Sequence, residues 1–186
     1  SAITIPEGVT CIADSAFYLC TNIPSITLPQ TITQIGNYAF SNCLLLTSIT
    51  IPKNVTKIGS FAFNYCYPTT IVVENGNTHY DSRDNCNAII ETESNKLITS
   101  CATTTIPEGV KAIGTYAFSG ITIPELVLPK SLETIEKNGI GNCTFYKPLI
   151  IPEGVKKMGE YALSYNSVDS IIVRGQITRI EKHTIF

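Results

Sequence analysis

The chain has 186 residues, with 13 basic and 15 acidic side chains and a formal net charge of -2, and that length suffices for one well-buried domain. The charge balance excludes an electrostatic nucleic-acid binder, which needs a basic stripe, and a polybasic membrane anchor. Charged residues make up only 15%, against roughly 25% in an average soluble domain. Ser, Thr, Asn and Tyr must therefore cover much of the surface, a composition that suits an extracellular setting. No apolar run approaches the roughly 20 residues of a bilayer span, so no direct membrane span is expected. The sequence opens on a repeat, Ile3-Thr4-Ile5-Pro6, and any targeting segment is expected to lie outside it.

Self-similarity decides the fold. An Ile/Leu-Pro dipeptide recurs at Ile5-Pro6, Leu28-Pro29, Ile51-Pro52, Ile106-Pro107, Leu128-Pro129 and Ile151-Pro152, at spacings of 23, 23, 55, 22 and 23 residues. Val73 and Val173 mark two further copies that lack the Pro. In the copy around Ile51-Pro52, the alternating stretch Ser48-Ile49-Thr50-Ile51 predicts a short strand with Ile49 and Ile51 pointing inward. Pro52 removes a backbone donor and ends it. The segment Val55-x-x-Ile58-Gly59-x-x-Ala62-Phe63 has three- and four-residue spacing and predicts a short helix or irregular turn laid back on the strand layer. The same positions recur from Val9, Ile12 and Ala16-Phe17 to Ile177, Ile180 and Thr184-Ile185.

Between Val73 and Ile106 the spacing lengthens by about ten residues over one repeat. Residues 74–105 are therefore expected to carry an insertion. Asn87-Ala88-Ile89-Ile90-Glu91-Thr92 and Lys96-Leu97-Ile98-Thr99 flank the turn Glu93-Ser94-Asn95 and predict a β-hairpin. It is expected to project from the strand side, beside an otherwise continuous strand face. Asp81, Asp84 and Asn85 lack the alternating acids and distal Glu of a calcium loop, so Asx-type turn bonding is the expectation and no metal is predicted.

The seven Cys are an odd number. Cys20, Cys43, Cys66 and Cys143 each fall three residues after the large apolar residue of their copy, and Asn166 takes that place in another. They are read as one column stacked along the repeats, reduced and structural. Ligands one coil apart do not converge on a tetrahedral metal. Cys86 and Cys101 stand outside the column, and both a bridge between them and two free thiols remain open. Neither His79 nor His183 belongs to a nucleophile, phosphate-loop or metal-binding motif. No catalytic residue, cofactor or enzymatic activity is expected.

One such unit cannot bury its own apolar face, but stacked units can. The expectation is a single repeat domain over residues 1–186, of the α/β solenoid class, with a parallel strand ladder on one face and short helices or turns on the other. Laid out as Cys43-x-x-Leu46-x-x-Ile49-x-Ile51-Pro52-x-x-Val55-x-x-Ile58-Gly59-x-x-Ala62-Phe63, the chain resembles the BspA-like leucine-rich repeat family of bacterial surface proteins. The insertion Asn77-Thr78-His79-Tyr80-Asp81-Ser82 is similar to that family's Asn-x-x-Tyr-x-Ser style. The resemblance implies a right-handed leucine-rich-repeat solenoid at the cell surface or secreted. It implies adhesion or host-matrix binding, and no shared catalytic residues.

The outward positions of the strand face, by repeat, are Thr4, Thr27, Thr50, Val72, Thr105, Val127, Ile150 and Ile172. A hydroxyl ladder in the first half gives way to an apolar strip in the second, an expected contact for a protein partner. A glycan would need aromatic platforms, for which Tyr38, Tyr116 and Tyr161 share one repeat position. A structural spacer in a larger surface protein is the remaining alternative.

Overall fold

A computed structural model describes residues 2–185. The chain winds into a β-solenoid of about eight turns. Each regular turn carries a short strand about six residues after the Pro position, and most carry another before it. On the first face Ile3–Thr4 pairs in parallel with Ile26–Thr27, Ser48–Ile51 with Thr70–Val73, and Leu149–Ile151 with Ile171–Val173. On the second face Ile12, Ile35 and Ile58 align in parallel register, as do Ile113, Ile135, Met158 and Ile180.

The expected helices do not form, and the α/β expectation gives way to an all-β solenoid. Among the described residues the one helical element is a 3-10 turn at Arg83–Asn85, itself broken by a positive φ at Asp84. The three- and four-residue spacing instead encodes a third face built from turns of alternating hand. Tyr38 and Asn42 take φ of 53° and 61°, and Phe61 and Tyr65 of 60° and 53°. An α-helix would return every N–H to its own chain. Here alternate residues send theirs sideways: Tyr38 N donates to Ser60 O at 3.0 Å, Phe40 N to Ala62 O at 2.8 Å and Asn42 N to Asn64 O at 2.8 Å. The residues between close local turns, as in Ser41 N to Tyr38 O at 3.1 Å. Left-handed aromatic residues are strained, and this ladder of lateral bonds holds them there.

The three faces enclose a column of apolar side chains. Phe17, Phe40 and Phe63 stack with ring centroids 5.3 Å apart and nearly parallel planes. Ile32, Ile35, Ile51 and Val55 are fully buried beside them. The Gly after Ile35 and after Ile58 follows from coil spacing. A Cβ on Gly36 would lie 2.5 Å from Asp14 N, and one on Gly59 2.5 Å from Asn37 N.

The insertion is a rung, not a projection. Its hairpin, Ile89–Glu91 against Lys96–Thr99, joins the second face, where Leu97 pairs in parallel with Ile113. Ile89, Ile90 and Leu97 are completely buried, and burying them requires the hairpin to replace a coil. The strand face is correspondingly not continuous across residues 74–105. An irregular segment passes between Thr70–Val73 and Thr105. Ile71 N donates to Asn87 Oδ1 at 2.5 Å, Val73 N to Ser82 Oγ at 2.9 Å and Thr105 N to Cys86 O at 3.1 Å.

Candidate functional site

All eight outward residues of the first face, Thr4, Thr27, Thr50, Val72, Thr105, Val127, Ile150 and Ile172, are exposed. Strand pairing sets Thr4 beside Thr27, Thr50 beside Val72, and Ile150 beside Ile172. Thr105 and Val127 lie outside strands, since the Pro-flanked segments there make no strand pairing. The insertion rung separates the hydroxyl half from the apolar half.

In the apolar half, Val127 is 71% exposed, Ile172 44% and Ile150 37%. Leaving three large aliphatic side chains on adjacent coils in water is costly, at roughly 25 cal/mol for each Å² of apolar area. Val127, Ile150, Pro148 and Pro152 line a hollow of about 600 Å³, with Glu125, Lys130, Glu153 and Arg174 around it. The rim charges sit at variable repeat positions, and the sequence gives no sign that they converge. The arrangement combines exposed apolar side chains with charges of both signs around one hollow.

The thiol column is held to the backbone. Cys43 Sγ donates to Phe17 O at 3.2 Å, Cys66 Sγ to Phe40 O at 2.8 Å, and Cys143 Sγ to Phe118 O. Asn166 Nδ2 reaches Ile140 O at 2.7 Å in the same place, and its Oδ1 accepts Cys143 N at 2.7 Å. Cys20 sits at the column's start, partly exposed. Burial pushes the Cys143 thiol up to about 11, and contact with the Cys43 thiol, followed by burial, raises that of Cys66. Cys66 and Cys143 therefore stay protonated at neutral pH, and a neutral thiol is a weak nucleophile and ligand.

Cys86 and Cys101 are both free thiols. Cys86 Sγ turns to Ala88 O and Cys101 Sγ to Asn87 O, and they pack in separate apolar clusters. Asp81 is taken by Arg83, whose Nη2 lies 2.6 Å from its Oδ2, and Arg83 Nη1 also holds Asn95. Tyr38 stacks on Phe61 at 5.0 Å, Tyr116 meets Phe61 edge-on at 5.3 Å, and Tyr161 stacks on His183 at 5.2 Å. These rings spend their faces on one another. No helix among the described residues is long and apolar enough to cross a membrane.

The geometry is that of a leucine-rich-repeat-type β-solenoid. The model of the BspA type leucine rich repeat region matches residues 1–91 and 88–186, in six copies, and the chain belongs to that family. Among solved structures it is similar to a leucine rich cell surface protein of Faecalibacterium prausnitzii, at 24% identity and TM-score 0.64, over 94% of this chain and 60% of that one. It is also similar to the pneumococcal vaccine antigen PcpA, at 21% identity and TM-score 0.67, over 95% of this chain and 57% of that one. A leucine-rich repeat protein of Eubacterium ventriosum matches at 19% identity and TM-score 0.57, over 91% and 61%. The chain thus spans about three fifths of the length of these structures. None of the curated proteins matches it.

Proposed function

We propose that the chain is a non-catalytic binding scaffold that holds a protein partner on the apolar half of its first face. One observation carries this reading: Val127, Ile150 and Ile172 stay exposed on adjacent coils, and the first two line a hollow shared with Glu125, Lys130, Glu153 and Arg174. A hydrated aliphatic floor contributes free energy when a partner covers it, and the rim sets orientation. The setting we infer is a bacterial cell surface or its secreted medium. Supporting it are the low charge, the family and two similar structures described as a cell surface protein and a vaccine antigen. Adhesion to a host matrix protein is the corresponding role.

The test is a binding panel of fibronectin, fibrinogen, laminin, collagen and a glycan array against the wild type and the Val127→Glu/Ile150→Glu double variant. A protein ligand bound by the wild type and lost at least ten-fold in the folded double variant is expected. Interactions unchanged by the double variant, or binding to glycans alone, would sink the reading in favour of a glycan module. Binding to nothing on the panel would favour a spacer.

A further inference from the structure

The insertion coil is short on the third face. Only Ile98, Thr99 and Ser100 separate Leu97 from Cys101, whereas residues 59–65 separate Ile58 from Cys66. The lateral ladder is interrupted there, and a cleft of about 260 Å³ opens between the turn around Phe63 and the turn around Ala117.

Two walls of this cleft carry main-chain groups with their bonding capacity unspent, beside the side chains of Glu91, Lys96 and Glu136. In the regular rungs that start at Ser15, Tyr38, Tyr116 and Asn138, three alternate amides of one coil donate to three alternate carbonyls of the next, as Tyr116, Phe118 and Gly120 do to Lys137, Gly139 and Gly141. The equivalent amides of Phe61, Phe63 and Tyr65 have no acceptor among the described residues. On the opposite wall, the equivalent carbonyls of Thr115 and Ser119 receive no donor, and that of Ala117 receives only the Ser100 hydroxyl. Asn64, which also lines the cleft, has a buried Oδ1 without a partner. Unpaired buried polar groups are few in native folds and call for a physical explanation.

We infer that this cleft is a second binding site, and that its occupant is the main chain of a partner polypeptide, threaded in as the rung the insertion coil omits. A row of donors at every second residue faces a row of acceptors at every second residue. An extended or alternately turned peptide offers that pattern from a single strand. The volume falls short of the roughly 300–1,000 Å³ of pockets for drug-sized molecules, which favours a thin segment. Ser100 is buried in the cleft lining, and the small volume favours Gly, Ala or Ser at inward positions. Phe61 and Tyr116 meet edge-on at one end and swing apart on entry. Both are only partly buried, and such rotations are fast. The site lies away from the first face and stands independently of the function proposed for it.

The experiment titrates the 15N-labelled chain with the pentapeptide Ac-Gly-Ala-Gly-Ala-Gly-NH2 and with its counterpart N-methylated at alternate residues. The expected result is saturable amide shifts at Phe61, Phe63 and Tyr65, with at least ten-fold weaker binding of the N-methylated peptide. A variant with a copy of residues 61–64 inserted between Thr99 and Ser100 gives that coil the length of residues 59–65, restores the rung and is expected to abolish the shifts. Ile150→Glu is expected to leave them unchanged, which separates this site from the first face. No shift at those amides with millimolar pentapeptide, or equal affinity for the two peptides, overturns the proposal, whether or not the restored-rung variant folds.

Discussion

The regular coils and the insertion coil solve one problem in two ways. A coil in a solenoid must present its backbone polar groups to a neighbour. From Phe17 to Phe63 the neighbour is another copy of the same backbone, and the bonds run main chain to main chain. At residues 74–105 the copy is distorted, and side chains do the same work. Ser82 and Asn87 take the amides of Val73 and Ile71, Tyr80 Oη takes that of Ile58, and Asn77 Nδ2 binds the carbonyls of Pro52 and Val55. A backbone ladder has no single residue on which it depends. A side-chain seam does, so the two regions should respond differently to the same kind of substitution.

The largest effect is expected inside the regular stack. Phe40 is 1% exposed between the rings of Phe17 and Phe63, and Phe40→Ala is expected to cost about 3–5 kcal/mol by emptying that site. A chemical denaturation curve unchanged by the substitution would contradict the core assignment. In the seam, the polar test is Asn87→Ala. Its side chain accepts from Ile71 N and donates to Thr69 O and Thr103 Oγ1. Stranding the Ile71 amide alone is expected to cost about 1–3 kcal/mol. In the regular region the matching control is Thr47→Ala, since Thr47 Oγ1 shares Pro24 O with its own amide. Equal losses for Asn87→Ala and Thr47→Ala would dissolve the distinction between the two regions.

The regular coils were legible in the sequence because one apolar code repeats. The recurring Ile-Pro, Ile-Gly and Ala-Phe positions give the coil length, the inward residues and the thiol column. The third face was misread because spacings of three and four also describe turns of alternating hand. Positive φ at Tyr38, Phe61 and Tyr116 leaves no compositional trace, since aromatic residues do not favour it. The insertion hairpin could be read from its two apolar runs, but its placement could not. Ile89 and Leu97 require burial without saying against which face. The exposed first-face positions follow from strand alternation, whereas the gathering of Lys130, Glu153 and Arg174 depends on coil-to-coil register. The sequence does hold a signal for the seam in Asn77-x-x-Tyr80-x-Ser82, three residues that each bond the exposed edge of the preceding coils.

That signal supplies the smallest and most discriminating test. Tyr80 is 5% exposed, and its ring packs in the same apolar cluster as Phe63, Ile71 and Cys101. Its hydroxyl accepts Ile58 N at 2.9 Å, at the edge where the parallel series Ile12, Ile35, Ile58 stops. Tyr80→Phe keeps the ring and removes the acceptor. The expected loss is about 0.5–1.5 kcal/mol, the usual net value of one such bond, accompanied by faster hydrogen exchange at the Ile58 amide. The Ile35 amide, one coil back, should keep its protection because its neighbours are unchanged. Exchange that rises equally at both positions would mean the substitution loosens the whole stack, and Tyr80 would then be a packing residue and not the cap of an open edge.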